Sequence, residues 1–212
     1  MSNYPYRLFR LSGVSLCLAG ILLLFVNVVF TPQILAIDDF AQSAASSAWG
    51  WRLGLASLTG LLLLVGSVGI YTYFNSKLPA SIKGLILLVL LILGNGLLLA
   101  HEWNQWLFVR DLAINFPDVL NQLEDLEGFT LFDLSAALGV SAFFLSWIIS
   151  PILLWTSKVI DKRICILMIL GIIASPFVAI ITTPLIGGIV SSLLLGSGWF
   201  LLGRTLITAR PE

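Results

Sequence analysis

The chain has 212 residues, of which 58% are hydrophobic and only 10% are charged, and its eleven basic residues balance its eleven acidic residues. A soluble domain carries about 25% charged residues, so this chain cannot cover a globular surface with charge, and its apolar content excludes a disordered chain. Two cysteines exclude a disulfide scaffold and the absence of a basic run argues against nucleic-acid binding, which leaves an all-α, polytopic membrane helix bundle.

Uncharged runs divide the chain into candidate membrane spans. A helix needs about 20 apolar residues to cross a bilayer. The last uncharged run, 164–203, is 40 residues long, and Thr182, Thr183 and Pro184 in its middle indicate a turn between two helices. We therefore predict a single integral-membrane domain over 1–212 with six transmembrane helices, near 11–31, 52–74, 84–101, 131–155, 164–182 and 185–203.

The first span has an alternative interpretation as a cleaved signal peptide, because Arg7 and Arg10 precede its apolar stretch. That stretch is about 20 residues long, whereas the apolar core of a signal peptide usually has about 7–15 residues. No clean small-x-small cleavage site follows it. We therefore favour a retained first helix.

Two shorter features flank the spans. Residues 38–50 are compatible with a short helix capped by Asp38. Residues 130–133, Thr-Leu-Phe-Asp, resemble a capping box at the start of the fourth span.

An amphipathic outer-surface helix is predicted within the outer loop 102–130. Asn115 suits its cap, Pro117 its first turn and Gly128 its end. Apolar residues recur between them at spacings of three and four, at Phe116, Val119, Leu120, Leu123 and Leu126. This helix is either a lid or docking surface, or an interfacial connector that buries its apolar side; we favour the connector.

The charges indicate an orientation. Nine of the eleven basic residues fall on one side of the six-span topology: Arg7, Arg10, Lys77, Lys83, Lys158, Lys162, Arg163, Arg204 and Arg210. Only Arg52 and Arg110 fall on the other side, where nine of the eleven acidic residues lie. Because positive residues in short loops stay in the cytoplasm, we expect both termini there, an electronegative outer face and a location in a bacterial plasma membrane.

Polar residues inside or near the spans are the candidates for a site. Asn27 and Asn95 lie within spans, and Asn95 and Glu102 are two helical turns apart and so share a helix face. A candidate ligand-binding site of Asn27, Asn95, His101 and Glu102 would open toward the acidic outer face. The alternative, which we favour, is that the asparagines form hydrogen bonds between helices.

Metal and cofactor chemistry has little support. His101 is the only histidine, so a haem held by two histidines of this chain is excluded, and no carboxylate lies near it at the spacing of a zinc motif. Cys17 and Cys165 form no Cys-x-x-Cys motif and are interpreted as buried apolar residues. Arg52 and Arg110 are expected to pair with neighbouring carboxylates. We predict no metal, no cofactor and no catalytic residue.

Small residues recur at every fourth position of the last two spans. They include Gly188, Ser192 and Gly196 in the sixth span, and Gly171 and Ser175 in the fifth. Such stripes let helix backbones approach closely. They predict tight packing among the last three spans, and homodimerisation is the less favoured alternative.

Two classes of function remain. The first is a non-enzymatic accessory or structural membrane component, which the clean apolar spans and the small-residue stripes favour. The alternative is a transporter or channel for a small solute that enters through an acidic outer vestibule. An enzyme ranks third, since candidate catalytic groups are scarce. The expected partners are the lipid bilayer and either other membrane proteins or further copies of the chain, and no nucleic acid.

Overall fold

The computed structural model describes residues 4–124 and 131–209, and within those ranges the regular structure is entirely helical. A π-helical turn, Gln105–Val109, continues directly into the next α-helix. The α-helices of the described ranges are α1 (Tyr4–Val29), α2 (Thr31–Leu35), α3 (Phe40–Ala45), α4 (Ser47–Lys77), α5 (Ile82–Asn104), α6 (Arg110–Asn115), α7 (Pro117–Glu124), α8 (Leu131–Thr156), α9 (Lys162–Ile181) and α10 (Pro184–Thr208).

Six of these helices are long and apolar enough to cross a membrane: α1, α4, α5, α8, α9 and α10. Each coincides with one predicted span, so the predicted all-α fold with six spans is confirmed. The turn between the last two helices also lies where the sequence predicts it. The hydroxyl of Thr183 accepts a hydrogen bond from the backbone nitrogen of Ile186, at 3.2 Å, and Pro184 occupies the first turn of α10. The chain is a polytopic membrane helix bundle.

Several helices extend beyond their predicted spans, and α4 and α5 show why. The α4 helix begins at Ser47 because the hydroxyl of Ser46 caps it, accepting a hydrogen bond from the backbone nitrogen of Trp49 at 3.1 Å. Helical structure continues from α5 through the π-helical turn to Asn115, since no glycine or proline interrupts residues 97–116. Hydropathy identifies only the part of a helix that lies in hydrocarbon. It therefore does not predict helical residues beyond the apolar run.

The structure corrects two predicted caps. The carboxylate of Asp39, rather than Asp38, caps α3 and accepts a hydrogen bond from the backbone nitrogen of Gln42 at 2.7 Å. Asn115 is the last residue of α6, and its side-chain amide bonds back to Asp111 instead of capping α7.

The predicted amphipathic helix is present as α7, which begins at Pro117 as expected. Of its apolar residues, Leu120 is buried, whereas Phe116, Val119 and Leu123 are exposed. The predicted helix end at Gly128, with Leu126 before it, and the capping box at 130–133 depend on residues outside the described ranges.

The six long helices form a closed ring. In order around the ring they are α1, α4, α5, α8, α9 and α10, and α10 packs against α1. Neighbours run antiparallel: along α1, Gly13 lies against Gly203 and Gly20 lies against Gly196 of α10. The contact between α1 and α10 is one of the closest in the molecule, because glycines face each other across it.

Alternating helix directions separate the charges into two ends. The basic end carries Arg7, Arg10, Lys77, Lys83, Lys158, Lys162, Arg163 and Arg204. The acidic end carries Asp38, Asp39, Glu102, Asp111, Asp118, Glu124 and Asp133.

Two tryptophans fill the interior of the ring. Trp147 of α8 and Trp199 of α10 are both 0% exposed, and their ring centroids are 5.1 Å apart. Phe143 meets Trp199 edge to face at 6.2 Å. Large aromatic rings in such arrangements bury much apolar area and pack closely, so the middle of the bundle is occupied by side chains.

The short helices form a cap at the acidic end. Small apolar residues of α3 and α6 pack with Val109 and Leu120. Asn121 of α7 joins α7 to α3: its Oδ1 accepts from the backbone nitrogen of Ala41 and its Nδ2 donates to Asp39, both at 3.2 Å. These contacts hold the outer loop against the bundle.

Candidate functional site

Asn95 lies in a polar contact that joins three helices. Its Oδ1 accepts a hydrogen bond of 2.9 Å from the indole nitrogen of Trp147 in α8. Its Nδ2 donates one of 3.1 Å to the hydroxyl of Ser67 in α4, and that hydroxyl donates to the backbone oxygen of Leu63. Asn95 is 1% exposed. Both ends of the amide are therefore bonded inside the protein, as buried polar groups require.

Asn27 lies elsewhere, between α1 and α10. Its amide nitrogen donates to the backbone oxygen of Leu23 at 3.0 Å, and its oxygen accepts from the hydroxyl of Thr31 at 3.3 Å. The side-chain oxygen of Asn27 lies 3.8 Å from the Cβ position of Gly188 in α10. Since α4 packs between α1 and α5 in the ring, the structure does not bring Asn27 together with Asn95.

His101 lies at the contact between α5 and α8, and it is 4% exposed. Its Nε2 is hydrogen-bonded to the side-chain amide of Gln105, and its Nδ1 is 3.4 Å from the hydroxyl of Ser135. Gly139 of α8 packs against the Cβ of His101 and the backbone oxygen of Leu97, each 3.1 Å from its Cβ position, so the two backbones approach closely there. Both ring nitrogens thus have partners inside the chain.

Glu102 lies on α5 at the acidic end, next to the π-helical turn. Its Oε2 is buried and has no hydrogen-bond partner within the described ranges. Arg52 of α4 is close enough to act electrostatically on both Glu102 and His101. Glu102, His101 and Arg52 therefore form one neighbourhood at the mouth of the ring, and a π-helical turn beside it is a feature often found at functional sites.

Arg110, the second arginine of the acidic end, lies against α4. Its guanidinium packs on Gly50, where an added Cβ would be 3.1 Å from Nε. That Nε is buried and has no hydrogen-bond partner in the described part of the chain. The arginine thus contacts the backbone of α4, which sequence patterns gave no reason to expect.

The small residues of α9 and α10 lie at close helix contacts. A Cβ on Gly171 would be 2.5 Å from the backbone nitrogen of Leu195. A Cβ on Gly187 would be 2.6 Å from the backbone oxygen of Ser175. Ser192 is 2% exposed. Gly188 has more room, since only the Asn27 oxygen lies within 4 Å of its Cβ position, at 3.8 Å.

Gly196 packs against Gly20 of α1 rather than against a neighbour among the last three helices. Sequence reasoning missed this partner, because Gly13 and Gly20 of α1 are seven residues apart and do not form a stripe of every fourth position. A seven-residue spacing of glycines on one helix face was the signal that could have indicated it.

The described ranges contain no cluster of side chains that could hold a metal ion and no disulfide. No three His, Cys, Asp or Glu side chains there come together as a metal site. Cys165 is 0% exposed, and the thiol of Cys17 donates to the backbone oxygen of Phe200 at 3.4 Å. Neither cysteine forms a disulfide.

An open groove of about 310 Å³ lies along the contact between α1 and α10. It is lined mainly by glycines and large apolar side chains, among them Gly20, Ile21, Leu24, Leu193, Gly196 and Phe200. Side chains of this kind suit contact with lipid tails or with another apolar helix. No known protein family, curated protein or solved structure matches this chain.

Proposed function

We propose that the protein is a non-enzymatic structural or accessory component of a membrane. The observation that carries this proposal is the occupied interior of the ring. Trp147 and Trp199 fill its middle, and the buried amide of Asn95 is bonded to Ser67 and Trp147. A solute pathway needs polar groups that face a cavity, whereas these groups bond to each other.

The same contacts argue against a catalytic role. His101 is held by Gln105 and Ser135, and general acid–base catalysis needs a group within reach of a substrate. The hydrogen bonds of Asn95 and His101 join neighbouring helices. This supports a function that depends on contacts made by the protein's surface rather than on an internal site.

We further propose that the basic end faces the cytoplasm of a bacterial plasma membrane. Basic residues in and next to short loops determine orientation in the membrane. At that end one short loop contains Lys158, and Lys77, the last residue of α4, precedes the other. The acidic end, with the cap formed by α3, α6 and α7, would then lie outside.

The flank of α9 supports a role in assembly. Phe177 is 63% exposed, and Ile180 and Ile181 are each 82% exposed. In the bilayer such residues contact either lipid or another transmembrane helix. The proposed partners are accordingly the lipid bilayer together with another membrane protein or further copies of this chain.

Two measurements on one preparation test the proposal. The protein is extracted from its own membrane in a mild detergent, and its polypeptide mass is measured by light scattering after size exclusion. We expect a mass above 23.1 kDa. It should correspond either to a whole number of copies of this chain or to a stoichiometric complex with another membrane protein. The same protein in liposomes should not accelerate the swelling caused by small neutral solutes. A 23.1 kDa monomer that also speeds solute entry would overturn the proposal in favour of a transporter.

A further inference from the structure

The open groove along the contact between α1 and α10 faces the membrane. Gly20 and Gly196, which line it, are buried where the two helices meet. Ile21 and Leu193, which also line it, are 54% and 52% exposed. The groove thus has a floor of glycines and opens between large apolar side chains toward hydrocarbon.

The width of the groove suits a single hydrocarbon chain. Its residues on α10 run from Ser192 to Leu201, so it is ~14 Å long at the rise of a helix. A volume of about 310 Å³ over that length gives a mean width of ~5 Å, and carbon atoms in contact are ~4 Å apart. A helix with its side chains is ~10 Å across. The groove therefore fits an acyl chain better than it fits another transmembrane helix.

The groove occupies the half of the membrane nearest the basic end. Arg204 of α10 is three residues beyond Leu201 and twelve beyond Ser192. The groove therefore extends from ~5 Å to ~18 Å from the level of this arginine. Half of the hydrocarbon core is ~15 Å thick. This depth matches the acyl chains of one leaflet, whereas a transmembrane helix would contact the full thickness.

Two arginines lie at the same level at the basic end of these two helices. Gly13 of α1 contacts Gly203 of α10. Arg10 is three residues from the first of these glycines, and Arg204 directly follows the second, so the two arginines lie within about one helical turn of each other along the axis. The guanidinium of Arg10 lies over the ring of Tyr6, 5.4 Å from its centroid. Tyrosine rings prefer the level of the lipid headgroups, and the arginines lie at that level.

Both arginines lie on the helix faces that line the groove. Arg10 and Ile21 are eleven residues apart, which is about three helical turns, and Arg204 and Phe200 are four residues apart, which is about one turn. Both arginine side chains are exposed. Arg204 is also close enough to Cys17 to act on it electrostatically, and the thiol of Cys17 donates to the backbone oxygen of Phe200. The positive charges therefore lie directly beyond one end of the groove.

We propose that the groove and the two arginines bind one anionic phospholipid of the leaflet at the basic end. One acyl chain lies in the groove, and Arg10 and Arg204 bind the headgroup phosphate, for which a guanidinium offers two parallel hydrogen bonds. Because lipid tails are as apolar as leucine, the groove alone selects no particular lipid. The two positive charges select a headgroup with a net negative charge. The site does not depend on the proposed orientation or on the proposed structural role.

Native mass spectrometry of the purified protein tests the site. The protein in mild detergent is equilibrated with an equimolar mixture of phosphatidylglycerol and phosphatidylcholine that carry the same acyl chains. We expect retained phosphatidylglycerol to exceed retained phosphatidylcholine by about 25-fold, since each arginine beside an anionic headgroup contributes a factor of roughly five. Equal retention of the two lipids would overturn the proposal.

Three variants test the headgroup contacts. Arg10→Gln and Arg204→Gln should each reduce the preference for phosphatidylglycerol about fivefold. Lys83→Gln is the matched control, because Lys83 is exposed at the same end on α5, which packs against α4 and α8. It should leave the preference unchanged. An unchanged preference in both arginine variants would reject the site.

A fourth variant tests the groove. Ser197→Phe puts a large side chain into the groove while it keeps both arginines, and it should abolish the retention of phosphatidylglycerol. Unchanged retention would reject the groove as the position of the acyl chain. If the same variant instead loses a dimeric mass, the groove binds a second copy of the chain. If Ser197→Phe does not fold, Ile21→Trp at the exposed rim of the groove replaces it.

Glycerol phosphate distinguishes a lipid from a free phosphate ester. It carries the headgroup charge without acyl chains, so at equal concentration it should not displace phosphatidylglycerol from the protein. Displacement would show that the arginines bind phosphate without the help of the groove, and it would reject the lipid as the ligand.

Discussion

The indole nitrogen of Trp147 in α8 donates a hydrogen bond of 2.9 Å to the side-chain oxygen of Asn95 in α5. Because Asn95 also donates to Ser67 in α4, one amide connects three neighbouring helices of the ring. Lipid tails offer no alternative partner to these groups, so the contact favours one register of the three helices.

The first prediction concerns this amide. Asn95→Leu should lower the free energy of unfolding by about 1–2 kcal/mol, because two interhelical hydrogen bonds are lost and the indole nitrogen of Trp147 is left unpaired. The measurement is reversible unfolding in mixed detergent micelles. Asn27→Leu is the matched control, since the amide nitrogen of Asn27 bonds within its own helix and its loss should cost less than about 0.5 kcal/mol. Equal costs would contradict the connecting role of Asn95.

The second prediction compares the two tryptophans of the interior. Trp147→Phe removes a hydrogen bond, whereas Trp199→Phe removes an indole nitrogen that has no partner in the described part of the chain. Both side chains are fully buried, so the loss of packing is similar in kind. Trp147→Phe should therefore be less stable than Trp199→Phe by about 1 kcal/mol. Thermal unfolding followed by circular dichroism measures the difference, and a reversed order would refute the explanation.

The number and approximate position of the spans could be predicted because hydropathy and length are properties of local sequence. The cap of α3 was less predictable, since Asp38 and Asp39 are adjacent and either carboxylate suits a cap. The choice depends on the direction in which the chain leaves α2. The structure alone supplies that direction.

The sequence does not predict which helices pack against each other, and the reason is different. Asn95 is recognisable as a polar residue in a span, yet its partner Trp147 is 52 residues away. Nothing in the local pattern indicates which helix faces which. The spacing of Gly13 and Gly20 indicates a close helix contact but not its partner, and the contact of Gly20 with Gly196 follows from the closure of the ring.

The third prediction tests that closure. A Cβ on Gly196 would be 2.6 Å from the backbone oxygen of Gly20, and backbone cannot move aside as a flexible side chain can. Gly196→Ala should therefore cost about 1–3 kcal/mol, as overpacking of a core does. Gly188→Ala on the same helix has open space and should be neutral or stabilising, because alanine favours the helix by up to about 1 kcal/mol. Melting temperatures in detergent measure both, and equal melting would show that α1 and α10 are less close.

The fourth prediction concerns orientation. Single cysteines are introduced at Gln122 in α7 and at Ser76 near the end of α4, after Cys17 and Cys165 are replaced by alanine. Both new positions are exposed and lie at opposite ends of the bundle. Since basic residues in short loops stay in the cytoplasm, a membrane-impermeant thiol reagent should label position 122 in intact cells. Position 76 should be labelled only after the cells are permeabilised.

The design of this labelling experiment follows from the structure. Asn121, the neighbouring residue, bonds to α3, so a cysteine there would disturb the cap and confuse orientation with stability. Permeabilised cells supply the control, since both positions must react once the reagent reaches both faces. Labelling of position 76 in intact cells, with position 122 protected, would reverse the orientation. The acidic end would then face the cytoplasm.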